Sequence, residues 1–317
     1  MKKLIISIAS VALAISAGAQ IPDLTTNTDK LQIVGAGLRG GLGSFMQDGT
    51  GLSTKFGVNG AVDGVYCFYF QRKDSDHPYI GIRSGLSVAY GQNKVTADDV
   101  VATFETEKDG IKISYKSPIK DIEETNRQLS IEVPIMASAI YKSFWANLGV
   151  RVAVPIITKY KQEIGDGSGI VANITDNENF DLDVENAYVL GRLESNSFDG
   201  DFNNAASVKI LAAFEGGYAF DIAGQWLAVG LYFNYGVYSN YDGGNGGHVD
   251  ANVDELPAKI SLNSVTESYS DKMNDMSFGI KASYNWQLGK SSGKSSKSKS
   301  SKSSKKKGSS GSSSRLR

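Results

Sequence analysis

Strict alternation of apolar and polar side chains constrains this chain most, because a period of two residues indicates a β-strand rather than a helix. In the run 276–288, apolar residues occupy every second position from Met276 to Leu288, with polar residues or Gly between them. The run Phe144–Ile156 repeats the pattern. Both runs exceed the roughly 9–11 residues with which a tilted strand crosses a bilayer. The pattern therefore predicts membrane-spanning β-strands.

Six further segments alternate in the same way, which gives eight strands in all. An even number of antiparallel strands is typical of bacterial membrane barrels. We therefore predict an all-β fold, an eight-stranded antiparallel transmembrane β-barrel with long outer loops. The strands expected are Leu31–Ser44, Lys55–Phe70, Tyr79–Tyr90, Leu129–Tyr141, Phe144–Ile156, Ser207–Phe220, Trp226–Tyr238 and Met276–Leu288.

The connections between these strands favour one orientation in a membrane. After a modest first loop, short and long connections alternate, as in outer-membrane barrels, whose periplasmic turns are short and outer loops long. Lys142-Ser143 and Asp221–Gln225 are short turns. The expected outer loops are Gly91–Gln128, Lys161–Ala206 and Ser239–Asp275. With the N-terminus in the periplasm, eight strands return the C-terminus to the periplasm as well.

The polar face of the strands carries about one charged residue per strand. An eight-stranded barrel is just wide enough inside for side chains, and buried charges are tolerated there only if they pair. We therefore predict an internal ion-pair network that closes the bore, with Cys67 as inert packing beside it. The predicted lumen charges are Arg39, Asp63, Arg83, Glu132, Arg151, Lys209, Glu215 and Lys281. Charges that line one side of an open path would instead make a narrow channel for ions or solutes.

A soluble β-sandwich or a lipocalin-like barrel also alternates, and it is the competing fold. Two features favour the membrane. The polar face is rich in Gly, which suits a crowded lumen better than a solvated surface, and the connections alternate between long and short as in outer-membrane barrels. Aromatic residues near the strand ends are placed to form interfacial girdles. They are Tyr66, Phe68, Phe70, Tyr284 and Trp286.

Both ends of the chain differ in composition from the body. Residues 1–19 combine Lys2 and Lys3, a short apolar run and Ala17-Gly18-Ala19, which together are typical of a secretory signal peptide cleaved after Ala19. The barrel is expected over 20–289. Residues 290–317 carry eight Lys and two Arg but no acidic residue, and their Lys/Ser/Gly composition predicts a disordered basic tail.

The tail and the loops are the segments in which partners are expected. Lys302, Lys305, Lys306 and Lys307 are candidates for contact with an anionic periplasmic partner, such as peptidoglycan or lipid phosphate. A flexible tail without a specific partner is the plainer interpretation. Export removes nucleic acid as a partner. The outer loops are candidates for binding an extracellular partner, and outer-membrane lipid surrounds the barrel.

Catalytic and metal chemistry find little support in the composition. The chain has one Cys and two His residues, so neither an internal disulfide nor a His-rich metal centre is expected. His248 is the only histidine in an expected outer loop, and no nucleophile motif surrounds it. Acidic loop residues lack the EF-hand spacing that would indicate a Ca²⁺ site. We predict a non-enzymatic protein without a cofactor.

The segment Leu129–Thr158 resembles the PorT-like outer-membrane β-barrel family of Gram-negative bacteria, which has the small barrel architecture of OmpA and OmpX. The resemblance lies in Ile131-Glu132-Val133-Pro134-Ile135, a tight turn, and the strand Phe144–Gly149. It implies a location in the outer membrane more than an activity. Together with the patterns above, it predicts a structural or surface-interaction role. A narrow porin-like channel is the alternative.

Overall fold

The structure is a computed structural model, and the description below concerns the residues that it places. These are 31–48, 51–70, 77–108, 111–165, 170–177, 188–191, 197–202, 208–222, 225–241, 247–252, 259–270 and 272–288. The expected signal peptide and the expected tail, including Lys302, Lys305, Lys306 and Lys307, lie outside the described residues.

Eight long antiparallel strands form a closed ring. They are β1 (Leu31–Asp48), β3 (Gly57–Tyr69), β4 (Tyr79–Ala97), β7 (Ile122–Tyr141), β8 (Phe144–Glu163), β12 (Lys209–Ile222), β13 (Gln225–Ser239) and β16 (Lys272–Leu288). Each pairs with its neighbour in chain order, and β16 pairs with β1 from Gln32↔Leu288 to Asp48↔Lys272. The ring confirms the predicted eight-stranded antiparallel barrel.

The remaining elements lie in the connections. β2 (Leu52–Lys55) pairs with β4, and β11 (Ser197–Asp201) pairs with β8. A separate four-stranded sheet has the order β10-β9-β6-β5. Its strands are β5 (Val100–Lys108), β6 (Ile111–Ile119), β9 (Ile170–Asn177) and β10 (Tyr188–Gly191). The third long connection contains β14 (Val249–Asn252), β15 (Lys259–Leu262) and a short helix, α1 (Val265–Tyr269).

Several barrel strands run well past their expected bounds at the end that carries the long connections, here called the outer end. β7 begins at Ile122 rather than Leu129, and β8 ends at Glu163 rather than Ile156. In these extensions the outward-facing residues are mostly polar, like the inward-facing ones. The sequence therefore does not alternate between apolar and polar residues there, and the predicted strands ended too early. A register shift between β7 and β8 adds to this, because Leu129 pairs with Ile157 and Ser130 with Pro155. The bulge exchanges the two faces of β8 beyond it.

An apolar belt covers the outside of the ring at the level of the expected membrane. It includes at least one large exposed side chain from each strand: Leu38, Val62, Leu86, Ile135, Leu148, Phe214, Leu231 and Ile280. The predicted girdle aromatics lie on this outer surface near the opposite end, which carries the short turns. Phe68 contacts Phe70 and Tyr284 contacts Trp286, each edge to face. No helix among the described residues is long and apolar enough to cross a membrane.

Glycine permits the inner wall to bend where strands approach one another closely. Gly41 and Gly279 are partners across the β1–β16 pair. A Cβ atom on Gly41 would lie 2.0 Å from the carbonyl oxygen of Phe278, and one on Gly279 would lie 2.3 Å from that of Gly40. No side chain fits at either position without a backbone shift. The Gly-rich polar face therefore has a geometric cause in the tight curvature of a small barrel.

Candidate functional site

The interior of the barrel holds the charged side chains that the sequence singled out. Arg39 projects from β1, Asp63 from β3, Arg83 from β4, Glu132 from β7 and Arg151 from β8. Lys209 and Glu215 come from β12, and Lys281 comes from β16. All eight are buried. Because alternate residues of a strand point to opposite faces, these charges from seven of the eight strands all point into the ring.

Seven of these residues form a continuous ion network: Arg39, Asp63, Arg83, Glu132, Arg151, Glu215 and Lys281. Glu215 is its centre. This carboxylate accepts hydrogen bonds from Arg151 and from Lys281 (2.8 Å), and Arg83 Nη2 lies 3.6 Å from its Oε2. The amide of Asn147 donates to the same carboxylate at 3.0 Å. Four donor groups therefore surround one buried anion.

A second centre links the other side of the ring. Arg39 donates from Nε to both oxygens of Asp63 at 3.1 Å, and from Nη2 to Glu132 at 2.6 Å. Arg151 reaches the same Glu132 oxygen at 3.4 Å, and Lys281 lies 3.1 Å from Asp63. Arg151 and Lys281 thereby connect the two centres. The network spans the bore from wall to wall, so the middle of the barrel is filled with side chains.

Lys209 does not join this network. It lies nearer the outer end, where its ammonium donates to Gln128 at 2.8 Å and to Asp275 at 2.7 Å, and lies 5.1 Å from the centre of the Phe45 ring. Its side chain is buried, on the inward face of β12. Its height along the barrel axis depends on how neighbouring strands are shifted against one another. The alternation of residues predicts the face of a side chain but not this shift.

Helix α1 and its flanking residues close the outer mouth of the barrel. We call Leu262–Ser270 the outer cap. Its N-terminus sits on the buried carboxylate of Glu124, which accepts from the backbone nitrogens of Val265 (2.7 Å) and Thr266 (3.3 Å). The hydroxyls of Ser264 and Thr266 donate to the same carboxylate at 3.0 and 2.6 Å. An anion at a helix N-terminus is favourable because the first N–H groups lack partners within the helix.

Other contacts hold the outer cap to strands on different sides of the ring. The hydroxyl of Thr266 accepts hydrogen bonds from Gln47 of β1 at 3.0 Å and from Asn126 of β7 at 2.8 Å. Tyr241 donates to the backbone oxygen of Thr266 at 3.1 Å, and Tyr160 of β8 donates to that of Leu262 at 3.4 Å. Burial raises the pKa of Tyr241 well above its ordinary value. The outer cap is therefore a fixed part of the barrel mouth.

His248 is buried beside the outer cap. Its side chain is buried, with Nε2 3.3 Å from the amide nitrogen of Gln162, and its ring packs against Tyr269. Burial lowers the pKa of His248 from 6.5 to about 4, so the ring is neutral near pH 7. Within the described residues, no group of three or more His, Cys, Asp or Glu side chains is arranged to hold a metal ion.

Sequence reasoning missed the outer cap and the residues that hold it in place. Glu124, Thr266 and Tyr241 fell within expected loops, where neither alternation nor a helical period distinguishes them. A five-residue helix is too short for a periodic signal. One local clue existed, since Ser264 followed by Glu267 matches a helix-capping spacing. In the structure, the Ser264 hydroxyl does accept from the backbone nitrogen of Glu267, at 3.2 Å.

Comparisons with known proteins show no family. No family model matches the chain, and no curated protein matches it. The resemblance to the PorT-like family therefore rests on the residues quoted above alone.

Solved structures with a related outline differ widely in their described roles. One is Ail, the attachment invasion locus protein of Yersinia pestis, in complex with the heparin analogue sucrose octasulfate. Its sequence identity to this chain is 8% and the TM-score is 0.26, and the match covers 80% of this chain and 99% of that one. Another is the outer membrane protease OmpT from Escherichia coli, with 10% identity and a TM-score of 0.31, over 84% and 99%.

A third is the translocator domain of the autotransporter NalP from Neisseria meningitidis, with 11% identity and a TM-score of 0.19, over 88% of this chain and 94% of that one. Similarity at this level gives no ground for carrying a function from any of the three to this chain.

Proposed function

We propose that this protein is a non-enzymatic outer-membrane β-barrel, closed to solute flow, with a structural or surface-interaction role carried by its long connections. The observation that carries the proposal is that the barrel is polar inside and apolar outside, the reverse of a soluble barrel. Charged side chains fill the interior, whereas the outside carries an uncharged belt in which Leu148 alone exposes 65% of its surface. A soluble barrel would not leave such a continuous apolar surface in contact with water.

Two separate closures support a barrel without an open path. The ion network occupies the middle of the bore, and the outer cap lies across the mouth. An ion that moved along the axis from the outer end would meet the outer cap first and the ion network after it. A steady narrow channel is therefore the less favoured function.

The outer end supports a role in surface interaction. Strands β4, β7 and β8 continue beyond the apolar belt, with outward residues such as Lys94, Arg127 and Lys159. Binding residues concentrate on connections that a rigid scaffold positions. His248, the one histidine of the expected outer loops, contacts Gln162 and Tyr269 in a buried position, which is consistent with a structural role for that side chain.

Conductance of the purified full-length protein in a planar bilayer tests the closed bore. We expect no steady conductance from protein that is shown to be folded by heat-dependent gel mobility. A steady conductance in the wild-type protein that changes in Arg151→Ala or Glu132→Ala would contradict the proposal and indicate transport. Glu163→Ala, at an exposed position outside the bore, is the matched control.

Surface labelling tests the membrane placement independently. The only native thiol, Cys67, is buried and free, so added cysteines report alone. A membrane-impermeant maleimide applied to intact cells should label Asp98→Cys at the outer end. It should label His77→Cys, at the short-turn end, only after the outer membrane is permeabilised. Equal labelling of both variants on intact cells would contradict this orientation.

A further inference from the structure

A cavity lies inside the barrel at the short-turn end, on the opposite side of the ion network from the outer cap. The cavity is narrow and partly open. Most of its wall is apolar or aromatic, and several polar side chains also line it. The wall is formed chiefly by Ile33, Ile140, Trp145, Ala219, Trp226 and Ala228, and the polar side chains that matter here are Arg83, Asn147 and Asn285.

Arg83 brings unsatisfied donors to this cavity. Its side chain is buried, and Nε and Nη2 form no hydrogen bond within the described part of the chain. The indole N–H of Trp145, on the neighbouring wall, is buried without an acceptor in the same part of the structure. Buried donors are almost always paired in folded proteins, so two such groups on one cavity make it a suitable site for a hydrogen-bond acceptor.

The charge balance of the ion network points to the same place. Among its seven members, four are cations (Arg39, Arg83, Arg151 and Lys281) and three are carboxylates (Asp63, Glu132 and Glu215). Arg83 is the cation with the weakest pairing, since its one carboxylate neighbour, Glu215, lies 3.6 Å away and already accepts from Arg151, Lys281 and Asn147. One negative charge beside Arg83 would balance the network.

We propose that this cavity binds a small carboxylate with an apolar body, such as an aryl or short-chain alkyl carboxylate. The carboxylate pairs with the guanidinium of Arg83 and accepts from the indole nitrogen of Trp145. The apolar body lies against Ile140, Trp226 and Ala228. A planar guanidinium suits a carboxylate because it offers two parallel donors, and the apolar wall selects against small inorganic anions, which remain hydrated.

Tryptophan fluorescence of the folded full-length protein measures this binding. The chain has three Trp residues, of which Trp145 and Trp226 line the cavity and Trp286 lies on the outer surface. In a Trp286→Phe background, benzoate should change the emission saturably, whereas benzamide, which has the same shape without the charge, should bind at least tenfold more weakly. Chloride and phosphate should not compete. Equal binding of benzamide, or no saturable change with benzoate, would overturn the proposal.

Two variants locate the site. Arg83→Gln removes the surplus cation and should weaken benzoate binding at least tenfold, whereas Arg127→Gln, which changes an exposed arginine on the outside of the barrel, should leave it unchanged. If Arg83→Gln fails the heat-mobility test of folding, Trp145→Phe serves instead. It keeps the ring and removes the donor, so we expect a several-fold loss of affinity read from Trp226. Unaltered affinity in the variant that folds would show that benzoate binds elsewhere and would overturn the assignment.

Discussion

At the scale of single residues, the barrel interior depends on carboxylates that serve several donors at once. Glu215 is the most heavily shared of them, with Arg83, Arg151, Lys281 and Asn147 around it. A buried charge that loses its partner destabilises the folded state far more than an exposed pair stabilises it, because desolvation of the remaining charge is no longer offset. The loss of folding stability on replacing one of these carboxylates should therefore depend on how many buried cations lose their partner.

Glu215→Ala should lower the free energy of unfolding by roughly 3–5 kcal/mol, because it leaves Lys281 and Arg151 short of a buried partner. Urea denaturation in lipid vesicles measures the change. The control is Glu123→Ala, which removes an ion pair with Lys94 whose side chains are 38% and 48% exposed, and should cost less than about 1 kcal/mol. Equal effects of the two substitutions would refute the central role of Glu215.

Glu124 is the corresponding residue for the outer cap. Glu124→Ala removes an acceptor for two backbone and two hydroxyl groups, so Leu262–Ser270 should detach while the ring remains closed. We expect faster amide hydrogen exchange at Val265 and Thr266, with unchanged heat-dependent mobility. Thr125→Ala, on the outer face of the same strand, is the matched control. Unchanged exchange in the Glu124 variant would show that other contacts hold the cap.

At the scale of elements, the outer cap should respond to pH through His248. Its folded-state pKa of about 4 lies below the ordinary value of 6.5, so the unfolded or opened connection binds the proton more readily than the closed one. The closed form is therefore fully favoured above pH 6.5 and loses stability as the pH falls toward 4. The full difference corresponds to about 3 kcal/mol.

Limited proteolysis between pH 7 and pH 4 measures this loss. Cleavage within the connection that follows β13 should accelerate as the pH falls, relative to a protease-activity standard at each pH. His248→Gln should flatten the dependence because it removes the titrating ring. A wild-type profile that matches that of His248→Gln would rule out this histidine as its source.

A comparison of the observed strands with the expected ones shows how much of the structure could be predicted from the sequence. Alternation placed all eight barrel strands, because in each of them one face is apolar and the other is polar. It failed past Leu129 and Ile156, where Glu123, Thr125 and Arg127 make the outward face polar too. Alternation along a strand is enough to predict which charged residues point inward, because every second residue lies on the same face. The outer cap and the Arg83 cavity were not predicted, because both depend on contacts between residues far apart in the chain.

At the scale of the whole molecule, the structure divides into an outer end, a filled middle and a short-turn end that contains a cavity. The first strand begins and the last strand ends at the short-turn end, at Leu31 of β1 and Leu288 of β16. In the proposed orientation this is the periplasmic side. The basic segment beyond residue 290 would then meet the cell wall, which is rich in carboxylates.

Deletion of residues 291–317 should reduce co-sedimentation of the protein with cell-wall sacculi, because the deletion removes most of the basic charge of that end. Changing Lys302, Lys305, Lys306 and Lys307 to Gln should give an intermediate loss at constant length. Unchanged sedimentation of the deletion variant would leave the tail without a role at the wall.

The pairing of β16 with β1 makes closure of the ring a late step in the folding of this protein. The two strands meet from Gln32↔Leu288 to Asp48↔Lys272, so the ring closes only after the last part of the body has been synthesised. The closing strand also delivers Lys281, which bonds to Asp63 near the start of the chain and to Glu215. Before β16 docks, both carboxylates lack this cation. Closure of the wall and completion of the interior ion network are thus one late event, and contacts so distant in sequence make slow folding the expectation.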